Sequence, residues 1–217
     1  VDPQAWWEAL WEAITQAGGL DDIAAISIAG QQHGLVTLDE AGVVVRPALL
    51  WNDTRSSQEA EDLISRFGAG PLVERTGSLP VAALTSSKLL WVSRHEPDHA
   101  KRIAAVCLPH DYLSWRLSDS YPDIGGLFTD RSDASGTGYF NPVTNTYDDE
   151  ILQFCLDHTI TLPRIVRVGE PAGKVSAEYA RHQPPIGSGM GDNAAAARGM
   201  GLAPGTLAVS LGTSGTV

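Results

Sequence analysis

The chain has 217 residues, room for one large domain or two small ones, and its 43% hydrophobic content is that of a globular protein. No run approaches the roughly 20 apolar residues of a membrane span, and no signal-peptide pattern opens the chain, so a cytoplasmic protein without a membrane partner is expected. The formal charge of −11 is spread without a basic cluster, which excludes nucleic acid as a main partner.

Asp2-Pro3 reads as the cap and first residue of a helix, on which Trp6, Trp7, Leu10, Trp11 and Ile14 recur at helical spacing until Gly18-Gly19 stops it. The tryptophan stripe is expected in the core. Residues 23–29, I-A-A-I-S-I-A, form a nearly continuous apolar run and predict a buried central strand. Gln31, Gln32 and His33 follow it, on the ground beyond a strand's carboxyl end where α/β sheets bind ligands. Amides and a neutral imidazole both donate and accept, which suits hydroxyl recognition, although an ordinary polar loop accounts for them equally. Residues 36–38 and 43–45 flank Asp39-Glu40-Ala41-Gly42 as a hairpin.

The strand at 48–50 runs into Trp51, Asn52, Asp53 and Arg55, an indole beside polar groups, as in a sugar subsite or at a packed strand end. Helices are predicted over 54–67, 87–95, 112–117 and 148–158, and a strand over 103–108 that closes on Pro109-His110-Asp111. Residues 129–137, T-D-R-S-D-A-S-G-T, are dense in short polar side chains that favour caps and turns. Cys107 and Cys155 stand singly, and the six histidines show no metal-binding spacing, so no metal ligands are assigned.

Residues 187–215 organise the chain. Asp192 follows a glycine run and opens an alanine-rich helix, where Asp is a preferred N-cap. An apolar strand at 207–211 leads into Gly212-Thr213-Ser214-Gly215, whose backbone can turn its N–H groups toward a phosphate oxygen. A plain helix cap and a plain turn account for the same residues.

Taken in order, A-G-Q-Q-H-G, R-P-A-L-L-W-N-D-T-R, A-L-T-S-S-K-L-L-W-V-S-R-H, L-P-H-D-Y-L-S-W-R-L, T-D-R-S-D-A-S-G-T, G-D-N-A-A-A-A-R-G and L-G-T-S-G resemble the FGGY family of carbohydrate kinases over nearly the whole chain. Lys88, Leu90 and Trp91 fit a signature of that family. The resemblance implies an α/β, ribonuclease-H-like fold of the actin and hexokinase type, and ATP-dependent phosphorylation of a sugar with Mg²⁺. Asp192 would be the catalytic base. Gln32 and His33 would contact the sugar, with Trp51, Asn52 and Asp53 completing its subsite. Gly212, Thr213 and Ser214 would embrace the nucleotide. Q-Q-H with W-N-D resembles the family's pentulose kinases, which implies D-xylulose, with L-ribulose or another ketose as the alternative and a homodimer as a possible assembly.

The same resemblance implies that residues 1–205 are a sugar-binding N-terminal domain lacking its first strands and that 206–217 begin a nucleotide-binding domain. The family opens on a strand carrying an Asp-x-Gly-Thr/Ser motif, which is not found here. The 217 residues are therefore expected to be part of a longer kinase and inactive alone. Around 179–189 the family has a strand, where this sequence supplies almost none, and Arg198 stands in a run that is usually small and apolar. Two other classes compete: a non-catalytic sugar-binding module and an unrelated actin-like ATPase.

Overall fold

The computed structural model describes residues 1–211 together with 215 and 216. Helix α1 (Pro3–Gln16) starts as its sequence predicts. The Asp2 carboxylate accepts from the Gln4 amide at 2.9 Å, and Pro3 occupies a first-turn position whose N–H would have had no partner. Of the tryptophan stripe only Trp7 is fully core. Trp6 is half-buried, and Trp11 is 36% exposed on the rim, packed on Trp7 and Tyr179.

Residues 23–29 differ from the expected buried strand. Only β1 (Ala29–Gly30) is regular, and Ala24, Ala25, Ser27 and Ala29 are exposed while Ile28 is buried. The apolar run therefore buries one face, and small side chains line the other. The hairpin prediction holds: β2 (Val36–Leu38) turns at Asp39, whose carboxylate accepts from the amides of Ala41 and Val43, and the Val45 amide returns to the Thr37 carbonyl at 2.9 Å.

There follow α2 (Ser57–Phe67), α3 (Ala69–Thr76), α4 (Thr85–His95), α5 (Pro97–Ala100), β3 (Ala105–Cys107) and α6 (Pro109–Leu117). β3 pairs antiparallel with β2, Val36 opposite Cys107 and Leu38 opposite Ala105. Side-chain alternation splits this ladder between two cores. Val36, Leu38, Ala105 and Cys107 pack with Tyr112 and Trp115 of α6. On the other face Leu35, Leu49 and Val106 meet Leu63 of α2 and Leu89 of α4. The strands thus lie between helical layers, the arrangement by which an α/β domain covers both faces of a sheet.

The chain continues through β4 (Phe128–Thr129), α7 (Arg131–Ala134), β5 (Phe140–Asn141), β6 (Thr146–Tyr147), α8 (Asp149–Cys155), β7 (Arg164–Ile165) and β8 (Gly173–Lys174). Asp148 caps α8 and is paired with Arg75 at 2.5 Å, which ties α3 to α8. Residues 179–189, which promised almost no strand, contain β9 (Pro185–Ile186), followed by β10 (Met190–Gly191). Proline lacks an N–H but keeps its carbonyl. Pro184 accepts from the Val175 amide at 2.9 Å and Pro185 from the Ile26 amide at 3.1 Å, so the ladder uses the one group a proline retains. Ile186 is wholly buried with Trp7, Ile28, Leu117 and Phe128 in a third core. Beyond come α9 (Asp192–Gly199), β11 (Ser210–Leu211) and β12 (Gly215–Thr216), the last two paired antiparallel. The strand expected over 207–211 is regular only at its end.

Candidate functional site

β1 and β10 run parallel, with Ala29 opposite Met190 and Gly30 opposite Gly191. The segments that leave their carboxyl ends are Gln31-Gln32-His33 and Asp192-Asn193. Two distant motifs thus emerge side by side at the place where open α/β sheets take ligands. The contact is close. A Cβ on Gly191 would lie 2.6 Å from the Gln32 side chain, so only glycine lets that side chain pass against the backbone beside Asp192.

Each group is held in a defined orientation. Gln32 donates from Nε2 to the Ser132 carbonyl at 2.6 Å, which leaves its amide oxygen to accept from a ligand. His33 has φ 66°, in the left-handed region that a non-glycine residue adopts only when its surroundings enforce it. Its Nδ1 lies 2.8 Å from the Gly136 carbonyl. A carbonyl only accepts, so Nδ1 carries the proton and Nε2 is the nitrogen left for other contacts. Gly136 is required there too, because a Cβ would stand 2.5 Å from the His33 ring.

Asp192 is exposed and is the first residue of α9 rather than its N-cap, which is Gly191. The expected cap role is thereby corrected. With the cap position taken by glycine, the Asp192 carboxylate stands in the first turn and accepts from the Asn193 amide at 2.8 Å.

Trp51, Asn52 and Asp53 form a separate group. They follow Leu49, which pairs with Leu35 beyond Gly34, and Trp51 is 54% exposed, as a platform for a ligand would be. Asn52 and Asp53 border a cavity of about 460 Å³ with Arg46 and Arg55. Asp53 is engaged by Arg55, whose Nε lies 2.9 Å and 3.0 Å from its two oxygens. Burial works against its charge, but the side-chain and backbone bonds of Arg55 hold its carboxyl below the usual range. The Arg55 guanidinium also stacks 4.9 Å over Trp91. No hydrogen bond or ion pair among the described residues joins this group to Gln32, His33 or Asp192. Gly212, Thr213 and Ser214, expected at the nucleotide, lie outside the described residues.

A model of the FGGY family of carbohydrate kinases, N-terminal domain, matches residues 1–199. The chain belongs to the FGGY family. Among curated relatives, the xylulose kinase of Streptomyces coelicolor is 50% identical over 221 residues, which is 99% of this chain and 44% of that protein. The xylulose kinase of Escherichia coli is 38% identical over 222 residues, again 99% of this chain and 44% of the relative. The crystal structure of xylulose kinase from Bifidobacterium adolescentis matches with a TM-score of 0.92 at 40% identity, over 99% of this chain and 50% of that one. Glycerol kinase from Plasmodium falciparum, at 20% identity and a TM-score of 0.77, shares the fold. That fold is the ribonuclease-H-like fold of the actin and hexokinase type. The chain spans about half the length of the relatives it matches.

Beneath these FGGY motifs lies a charged cluster whose role the sequence did not reveal. His110 Nδ1 is bonded to Asp133 and is 3.3 Å from Asp111, with all three side chains fully buried. Its other nitrogen lies 3.2 Å from the Ser188 carbonyl. Burial opposes the charge on His110, but Asp111 and the bond to Asp133 lift it to about 10. Burial raises Asp111 to about 7 against the pull of His110, and it raises Asp133 as well. Both residues stood in quoted motifs, L-P-H-D-Y and T-D-R-S-D-A-S-G-T. Nothing in their spacing showed that these two motifs meet.

Proposed function

We propose that this chain supplies the sugar side of a pentulose kinase that transfers the γ-phosphoryl group of ATP to D-xylulose, giving D-xylulose 5-phosphate. The observation that carries the reading is the convergence of Gln32, His33 and Asp192 across the paired ends of β1 and β10. A neutral sugar presents hydroxyls, and the free amide oxygen of Gln32 and Nε2 of His33 are suited to bind them. Asp192 is an exposed carboxylate at a helix start, able to accept the proton of the attacking hydroxyl. Phosphoryl transfer asks little covalent chemistry of the protein, so a correctly placed base and a fixed sugar supply most of what this half can contribute. Trp51, Asn52 and Asp53 complete the subsite as a sugar-facing platform. D-Xylulose is preferred among ketoses because the most similar relatives quoted above carry the name xylulose kinase.

ATP and Mg²⁺ enter as the co-substrate pair of a kinase, which residues 206–217 begin to hold through Gly212, Thr213 and Ser214. Residues 1–205 form the sugar-binding domain.

Asp192→Asn tests the reading in the intact protein that carries these residues. Loss of a general base is expected to lower turnover by about 10²–10⁴-fold. D-Xylulose binding, followed by calorimetry, is expected to stay within about threefold, since the base acts in the transition state. Wild-type turnover in this variant would refute the proposal, and a ketose panel that prefers L-ribulose would replace the sugar.

A further inference from the structure

We propose that His110, pinned between Asp111 and Asp133, is a positioning residue that fixes the Ser188–Gly191 segment and thereby the placement of Asp192. This rests on the reading of Asp192 as the base.

The geometry makes His110 a double donor. On one side Nδ1 faces the carboxylates of Asp133 and Asp111; on the other Nε2 faces the Ser188 carbonyl at 3.2 Å. Carboxylates and carbonyls accept, so both ring nitrogens carry protons and the ring is a cation bonded to the Asp133 carboxylate on one side and to the Ser188 carbonyl on the other. Asp130 completes the surroundings, its carboxylate 4.0 Å from Nε2. Cys107, Tyr139 and Tyr147 are further titratable groups near Asp111, and His33 lies near Asp133.

His110 also packs directly against the two segments that carry the site. A Cβ on Gly189 would collide with the imidazole, and one on Gly30 would sit 2.9 Å from the His110 Cβ. Both glycines therefore close onto His110 from β1 and from the approach to β10. A second brace comes from α7. The Asp130 carboxylate holds Ser132 through its amide at 2.8 Å and its hydroxyl at 2.7 Å. The Ser132 hydroxyl oxygen in turn accepts from the Gly191 amide at 3.0 Å. The segment before Asp192 is thus fixed at Ser188 by His110 and at Gly191 by Ser132, both on supports that no sugar need touch. A carboxylate misplaced by an ångström loses much of its catalytic effect.

The test uses the intact protein, with ATP- and D-xylulose-dependent ADP release for turnover and calorimetry for sugar binding. His110→Gln keeps a donor toward Ser188 but loses the charge; kcat should fall at least about tenfold, with KM and Kd for D-xylulose within about threefold. His110→Lys restores the charge and should return kcat to within about threefold of wild type. Wild-type kcat in His110→Gln overturns the proposal. So does an equal loss in His110→Lys, or a loss of sugar binding in step with kcat. If His110→Gln does not fold, Ser132→Ala carries the test, because Gln32 bonds the backbone carbonyl of Ser132, which alanine keeps. A fall of about fivefold in kcat at unchanged KM is then expected, and unchanged kcat overturns the proposal. Wild-type turnover in Asp192→Asn, or none in the wild type, removes the reading on which this rests. A dead Asp192→Asn beside a fully active, folded His110→Gln removes this inference alone.

Discussion

Lys88 is wholly buried, and its ammonium donates to the carbonyls of Ala82 and Ala83 without a carboxylate in contact among the described residues. Burial drives it from the ordinary lysine value of 10.5 down to about 7, with the charge of Asp53 opposing. Between those values the unfolded chain holds a proton here that the folded chain has released. Unfolding free energy therefore rises with pH across that window, and the penalty for a buried charge is full below pH 7. Urea unfolding at pH 7 and pH 9.5 should show the wild type gaining on the order of 2–4 kcal/mol relative to Lys88→Met. Parallel behaviour of the two proteins would show that Lys88 stays protonated in the fold. This lysine was legible as part of a motif, but not as a buried cation, because burial depends on how α4 meets the Val81–Leu84 turn that precedes it. The same limit hid His110, whose partners Asp111 and Asp133 lie on different elements.

At the scale of elements, α4 shows what the sequence carried well. Leu89 and Val92 lie on one side of the helix and are fully buried in the core that also holds Leu63 of α2 and Ile151 of α8. Leu89→Ala should destabilise the protein by about 2–5 kcal/mol, since the site lies between rigid helices that cannot collapse onto the lost volume. A midpoint of urea unfolding within error of wild type would contradict that. Helices were legible because their periodicity and caps are local: Asp2-Pro3 and Asp148 act as their residue types suggest. Strands were less so. Residues 23–29 are almost continuously apolar yet bury one face, and β9 was hidden behind Pro184 and Pro185, which pair only through their carbonyls. The candidate site divides in the same way: Gln32, His33 and Asp192 could be named from motifs. Their convergence needs the parallel register of β1 and β10, which no local pattern encodes.

Across the whole chain, stability is unevenly distributed. The ladder of β2 and β3 is buried on both faces, whereas α9 buries none of its residues and is tied down through β10. Amide hydrogen exchange should therefore be slowest at Val36–Leu38 and Ala105–Cys107 and faster by about a hundredfold or more at α9, which opens without global unfolding. Equal protection of both regions would show that α9 is held by more than β10. No helix among the described residues is long and apolar enough to cross a membrane. The pairing of Ala29 with Met190 has one further consequence, for the order in which the molecule forms. It joins positions about 160 residues apart along the chain. Closing so long a loop has an entropic penalty that neighbouring contacts do not bear, and such non-local pairs slow folding. The hairpin of β2 and the packing of α2 with α4 link nearby segments and can form early. Gln32 and Asp192 come side by side only when residues 29–30 meet residues 190–191, so the candidate site assembles after most of the helical structure is in place.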